Sequence, residues 1–293
     1  MDPDAEVERT TSKIFKALII AFVFIACENK LSDNKVTNTA NPGSQAAADT
    51  IVTVTDTSNC HKKTIYLTFD DGPNKGSANV LQVATEEQVP ITMFLIGQHI
   101  CGSHWQASSY SNIAGSPFVE IQNHSYTHGH NHFDRFYKCA DKVSADFMRC
   151  ADSLHLKSNI VRTPGRNIWR TPTISFTDVK KIAPMADTLL QKGLIVMGWD
   201  VEWRFDNHLR LYKTDAQLIE QINGLFKKEK MKTPNHLVLL AHDQTFVDST
   251  NFASLRRFVQ KLKNTGEYNF EVISHYPGLK NNNIAKNDAV VLK

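Results

Sequence analysis

Thr64-Ile65-Tyr66-Leu67-Thr68-Phe69-Asp70-Asp71-Gly72-Pro73 is the segment from which the fold can be read. Its first six residues are β-branched, aromatic or aliphatic and suit a strand covered on both faces. Gly72-Pro73 then forces a turn, so the two acids stand at the C-terminal end of that strand. The same punctuation recurs downstream. Short β-rich runs at residues 91–96, 118–122, 159–162, 194–198, 237–241 and 270–274 predict further strands, several of them continuously apolar, such as Leu194-Ile195-Val196-Met197-Gly198. Amphipathic segments at 78–87, 139–154, 185–192, 215–230 and 252–263 predict helices, with Thr214-Asp215 as one helix start. Strands alternating with helices imply an α/β fold on a parallel sheet, open or closed into a barrel. The sequence contains no internal repeat and no glycine-rich phosphate loop.

In parallel α/β folds the chemistry collects at the C-terminal ends of the strands. Reading just past each predicted strand gives Asp70-Asp71, then His124 and His128, then Arg162-Thr163-Pro164-Gly165, then Asp200-Val201-Glu202-Trp203, then His242-Asp243. Five strand ends delivering ionisable groups to one mouth argue for a single site. His124 and His128 are four residues apart, so on a helical turn both imidazoles would face one metal ion; His128 and His132 have the same spacing, and spacing alone does not choose. Asp70 or Asp71 would complete a set of two imidazoles and a carboxylate, leaving the other acid free as a general base. A glycosidase pair is a rival use of two acids, but it gives the histidines no role. Arg162 has the donor fork to hold a carboxylate in one orientation, and His242 is placed to give a proton. Trp199 and Trp203 offer apolar walls or core.

The remaining sequence sets the context. The chain has 293 residues, with 33 Lys and Arg against 30 Asp and Glu, a net charge of +3 that gives no reason to expect nucleic acid as a partner. Ten apolar residues, 17–26, follow Arg9, Lys13 and Lys16 and end on Phe24-Ile25-Ala26-Cys27, which resembles a bacterial lipobox. Residues 1–27 are therefore expected to be an export signal, with lipid on Cys27 anchoring the protein to a membrane of the cell envelope. Residues 28–57 contain no aromatic residue and are expected to form a flexible tether. The folded body is expected over 58–277, monomeric, with a loose tail at 278–293. With Cys27 lipidated, Cys60, Cys101, Cys139 and Cys150 remain as an even number in an oxidising compartment. Eleven residues of helix would hold Cys139 and Cys150 about 16 Å apart, which favours disulfides from each to Cys60 and Cys101.

Thr68-Phe69-Asp70-Asp71-Gly72-Pro73, His124-Ser125-x-x-His128, Arg162-x-Pro164-Gly165, the Trp-flanked acids of residues 199–203 and Leu240-x-His242 resemble, in order, the five motifs of the NodB-type polysaccharide deacetylases, carbohydrate esterase family 4. The resemblance spans the folded body. It implies a distorted (β/α)7 barrel and a divalent metal, usually zinc, held by Asp71, His124 and His128. It also implies Asp70 as general base, His242 as general acid and Arg162 as the residue that orients Asp70, with Pro164, Gly165, Trp203 and Leu240 lining the substrate site. The fourth motif departs from the family pattern of two Asp before a Trp. Glu202 matches best as the acid that tunes His242, with Asp200 and Asp206 as alternatives. Gly165 stands where many members carry an aromatic. The implied reaction is metal-dependent removal of N-acetyl groups from an N-acetylated envelope or extracellular glycan polymer. An inactive glycan-binding module and an O-acetyl esterase or small-amide hydrolase are the alternatives on the same barrel.

Overall fold

The structure is a computed structural model and describes residues 62–279. The signal-like segment, the tether, Cys27, Cys60 and residues 280–293 lie outside the described residues. Ten strands are present: β1 (Lys63–Gly72), β2 (Ile91–Leu95), β3 (Val119–Asn123), β4 (Ile160–Val161), β5 (Ile168–Arg170), β6 (Ser175–Thr177), β7 (Ile195–Val196), β8 (Val201–Glu202), β9 (His236–His242) and β10 (Tyr268–Phe270). They form one sheet in the order β6-β5-β7-β4-β3-β2-β1-β9-β8, with β10 added beside β1. All pairings are parallel except those of β5 with β6 and β7. The sheet curls into the distorted barrel that the resemblance implies, left open between its end strands β6 and β8. Seven helices surround it: α1 (Ser77–Glu87), α2 (His104–Ala114), α3 (Phe133–Phe136), α4 (Ala140–Ser153), α5 (Ala183–Gln191), α6 (Asp215–Lys227) and α7 (Ser249–Thr265).

Alternation along the strands sorts the core into layers. Ile65, Leu67 and Phe69 of β1 and Leu237, Leu239 and Ala241 of β9 point outward and pack against α1, α6 and α7 through Val80, Val83, Leu218, Ile222, Leu255 and Phe258. Val161 and Val196 point outward on the other side, against Val143 and Phe147 of α4 and Met185 and Leu189 of α5. Tyr66, Phe94, Ile160, Ile195, Met197 and Val238 point inward and fill the lower barrel, closed off by Ile273, Tyr276 and Leu279. Burying each of these large side chains contributes roughly 1.5–3 kcal/mol. The inward alternation continues upward to Thr68 and Asp70 on β1 and to Leu240 and His242 on β9. The register pairs Thr68 with Leu240 and Asp70 with His242, which fixes those two ionisable groups side by side at the mouth.

Helices α1, α4, α5, α6 and α7 fall where the apolar periodicity predicts, and α6 starts in a full capping box between Thr214 and Gln217. Other expectations are corrected. Helix α2 has no clear apolar face, only Ile113 being fully buried, and its one sequence signal is the Ser103 cap that accepts the Gln106 amide. The strand expected at 270–274 ends at Phe270, and residues 273–275 turn as a short 3-10 segment. Leu279 packs into the lower barrel, so the ordered body runs past residue 277. Among the described residues, Cys101, Cys139 and Cys150 are free thiols and none pairs with another. Cys150 faces inward from α4, close to the Leu95 carbonyl at 3.6 Å, and burial pushes its thiol up to about 12. Among the described residues, no helix is long and apolar enough to cross a membrane.

Candidate active site

The mouth of the barrel is built around Arg162, which is 0% exposed. Its Nε donates to the Met197 carbonyl at 3.1 Å and its Nη2 to the Gly198 carbonyl at 3.0 Å. Nη1 donates to Thr68 Oγ1 at 2.7 Å and to Asp70 Oδ1 at 2.9 Å. The guanidinium also lies over the Phe94 ring, 4.0 Å from its centre. Gly198 is required at this point because a Cβ there would come within 2.4 Å of the Trp169 indole nitrogen. With Oδ1 fixed by Arg162, Asp70 turns its other oxygen, Oδ2, toward His124 Nε2 at 3.7 Å.

Asp71 takes φ +76, a left-handed conformation that costs a non-glycine residue energy and swings its carboxylate away from the strand alternation. His99, on the 3-10 turn after β2, donates Nδ1–H to the Asp71 carbonyl at 3.1 Å and holds that conformation. Nothing in the sequence pattern marks His99. The His124–His128 segment is a loop and not the helical turn expected from the spacing. Ser125 and His128 take φ +68 and +52, Ser125 Oγ accepts the His128 amide, and the Asp146 carboxylate accepts the Tyr126 and Thr127 amides. The outcome for the imidazoles is the one the spacing suggested, reached by a different backbone. His132 stays outside the cluster.

Asp71, His124 and His128 bring one ligand atom each within 4.8 Å of one another, with Nε2 of His124 and His128 at 3.4 and 3.1 Å from Asp71 Oδ1. Tetrahedral coordination at about 2.0–2.2 Å places ligand atoms roughly 3.3–3.6 Å apart, so these spacings fit one divalent ion. The donor chemistry fits as well. His124 Nδ1 donates to the Arg162 carbonyl at 3.0 Å and His128 Nδ1 to Asn131 Oδ1 at 2.8 Å, which leaves both Nε2 lone pairs free toward Asp71. Asp71 Oδ1 is buried and no hydrogen-bond donor satisfies it. Burial alone would push the Asp71 carboxyl up, but the two imidazoles outweigh it and hold it well below the usual carboxylate range. Burial would likewise lower His128, and the Asp71 carboxylate and Asn131 carbonyl outweigh it and raise it.

Other expected site residues fall differently. His242 stands beside Asp70, its ring edge-on to Phe205 at 5.3 Å, and its buried Nδ1 has no hydrogen-bond partner. Among the described residues no acid hydrogen-bonds to it. Glu202 sits on β8 opposite Leu240 and makes no hydrogen bond or ion pair among the described residues. Asp200 instead accepts the Lys232 and Val238 amides at 2.9 and 2.8 Å, and burial pushes its carboxyl up to about 6. Asp206 folds back on Arg210 and the His208 amide. Trp203 is core rather than substrate wall: it is 1% exposed, packs on Phe246 and Phe258, and donates its indole N–H to the Lys213 carbonyl. Leu240 and Pro164 are buried too, and the Pro164 carbonyl accepts the Tyr137 hydroxyl at 2.6 Å. Gly165 is exposed at φ +62, and a Cβ there would come within 2.5 Å of the Phe133 ring. Phe133, edge-on to His128 at 5.5 Å, thus occupies the space that an aromatic at position 165 would fill.

A family model for polysaccharide deacetylases matches residues 57–183, the part of the chain that carries Asp70, Asp71, His124, His128 and Arg162. That segment is similar to the polysaccharide deacetylases, the family whose motifs the sequence resembles. The chain is similar to the peptidoglycan-N-acetylglucosamine deacetylase of Bacillus cereus, 26% identical over 226 residues that cover 74% of this chain and 72% of that protein. The chitin disaccharide deacetylase of Vibrio alginolyticus is 25% identical over 73% of this chain and 71% of its own length. Among solved structures, a Streptococcus mutans CE4 esterase superposes with a TM-score of 0.54 at 22% identity, over 72% of this chain and 86% of that one. The Streptomyces lividans family 4 carbohydrate esterase, in complex with acetate, gives 0.52 at 20% identity over 75% and 96%. At these identities the structures establish the fold of the family. The family match ends before His242, which the β1–β9 register brings to the same mouth.

Next to the mouth lies a second buried acid. Asp243 is 0% exposed and accepts from Asn74 Nδ2 and Ser77 Oγ, tying the start of α1 to the end of β9. Burial is the largest influence on its carboxyl and, with the Asp71 charge, pushes it from 3.8 up to about 8, against the pull of Ser77 and Asn74. The folded state therefore holds a proton that the unfolded chain releases near 3.8. The stability this gives is full below that value and is lost as pH rises toward about 8. Asp243→Asn cannot ionise, so wild-type melting temperature is expected to fall relative to the variant as pH is raised from about 4 to about 8. Parallel melting curves over that range would contradict the neutral buried acid.

Proposed function

We propose that the chain removes N-acetyl groups from an N-acetylated envelope or extracellular glycan, using a divalent metal, zinc, bound by Asp71, His124 and His128. The observation that carries this reading is the closed donor set of one carboxylate oxygen and two Nε2 atoms, with a second carboxylate held beside it. The names of the Bacillus cereus and Vibrio alginolyticus relatives, which act on peptidoglycan N-acetylglucosamine and on chitin disaccharide, support the substrate class. A divalent ion in that set supplies a Lewis acid for the acetamide carbonyl and makes water more acidic.

The chain's own residues do the rest. Asp70 Oδ2 accepts the proton of the attacking water, while Arg162 fixes Oδ1 so that only one oxygen is turned to the reaction. The exposed Gly165 amide, which donates no hydrogen bond among the described residues, is placed to steady the developing oxyanion. His242, across from Asp70 in register, gives a proton to the leaving amine, without which amide cleavage stalls. Arg162 acts through Asp70 and His124 and is a positioning residue. The lipobox-like Phe24-Ile25-Ala26-Cys27 and the aromatic-free residues 28–57 support an exported enzyme tethered by lipid within reach of envelope polymer.

Acetate release from N-acetylated chitooligosaccharides and peptidoglycan, with O-acetylated xylan as control, tests the reaction. Asp70→Asn is expected to keep about one metal per chain and lose roughly 10²–10⁴ in kcat. His124→Ala is expected to lose both metal and turnover. Full turnover in Asp70→Asn would remove Asp70 from the base role, and stoichiometric metal in His124→Ala would dismantle the ligand set. For the anchor, the full chain expressed in bacteria is expected to sediment with membranes and Cys27→Ser to move to the soluble fraction; identical fractionation would end the lipoprotein reading.

A further inference from the structure

The loop that carries His128 runs on into α3, and its outer side is basic. One cleft of about 460 Å³ is lined by Asn131, His132, Phe133, Asp134, Arg135 and Arg166. A second, of about 580 Å³, shares His132 and Arg135 and extends past Lys138 and Lys142. The first opens beside the ligand cluster, since Asn131 accepts from His128 Nδ1 and Phe133 touches the His128 ring. Arg135, Lys138 and Lys142 make no side-chain hydrogen bond or ion pair among the described residues, and Arg166 reaches only the Gly165 carbonyl at 3.3 Å. The acids in the same walls are already engaged: Asp134 pairs with Lys181 at 3.3 Å, and Asp146 accepts the Tyr126 and Thr127 amides. On the neighbouring surface the pattern is the opposite, as Lys192 is matched by Asp141 at 3.0 Å. Four cations without an ion-pair partner among the described residues thus line two adjoining clefts, the first of them next to the loop that carries His128. Concave walls of one sign concentrate the opposite charge, and the guanidinium fork matches carboxylate and phosphate oxygens in pairs.

We propose that the glycan entering this site carries anionic substituents, carboxylate or phosphate, on sugars flanking the N-acetyl group, and that Arg135 and Arg166 bind them, with Lys138 and Lys142 extending the track. The inference rests on the deacetylase reading above and adds the charge of the polymer to it. The test uses the full chain and three N-acetylated oligosaccharides of equal length: neutral, carboxylate-bearing and phosphate-bearing. In the wild type, kcat/KM for acetate release from one charged probe is expected to exceed that from the neutral probe about tenfold at low salt, the size of one or two charge-assisted contacts. Raising salt should shrink the ratio, as should the double variant Arg135→Gln/Arg166→Gln, whose melting temperature reports its folding. Which charged probe is preferred identifies the anion. Equal kcat/KM across the three probes, or a preference that survives both salt and the double variant, overturns the inference while leaving the deacetylase intact. If no probe yields acetate, the deacetylase reading fails, and retention of the charged probes on immobilised protein decides the inference alone. Retention that the double variant loses sustains it; absent or unchanged retention refutes it.

Discussion

Arg162 carries a full positive charge in the middle of the barrel, and the mouth is arranged around what that charge demands. A buried ion costs several kcal/mol unless it is paired and its donors are satisfied. Here two carbonyls from the end of β7, a threonine hydroxyl and the Asp70 carboxylate meet that demand. In meeting it, the guanidinium stitches the ends of β4, β7 and β1 together and leaves Asp70 a single oxygen to work with. The Arg162 backbone takes part as well, because its carbonyl accepts His124 Nδ1–H and so fixes which nitrogen of that ring faces Asp71. One residue therefore sets the orientation of the Asp70 carboxylate and the tautomer of His124.

The surrounding structure divides rigidity from strain. The inward-facing residues of β1 and β9 rest on a fully packed lower barrel, which places Asp70 and His242 on strands that cannot shift without disturbing that core. The carboxylate and imidazoles of the candidate metal set sit instead at the strand ends and loops, with Asp71, Ser125 and His128 in left-handed backbone. Such conformations persist only where neighbours over-determine them. Those neighbours are His99, Asp146 and Asn131, each making a hydrogen bond to the strained segment. The basic clefts adjoin the same loop.

Much of this was legible in the sequence, and the exceptions have physical causes. Period-two alternation from Tyr66 through Thr68 already puts Asp70 on the inner face, and five strand ends rich in ionisable residues locate the mouth. Spacing could not separate His128 from His132, because the loop's left-handed turn has no periodicity to read. Trp203 is core because a strand-end position need not face the mouth. The alternation of β8 turns Val201 and Trp203 outward into the helix layer, and Glu202 finds no partner. Helix α2 was missed because its polar residues face solvent on nearly all sides, leaving only the Ser103 cap as a signal. Free Cys150 reflects an ordinary core position, where an apolar wall mattered more than a redox partner.

The central claim is that one cation is bound by two imidazoles and a carboxylate at the barrel mouth. X-ray absorption at the zinc edge, on protein loaded with one equivalent of zinc, tests it most directly. The account predicts two imidazole nitrogens and further oxygen ligands at about 2.0–2.2 Å, with no sulfur. A sulfur shell near 2.3 Å, or a first shell without imidazole, would contradict it.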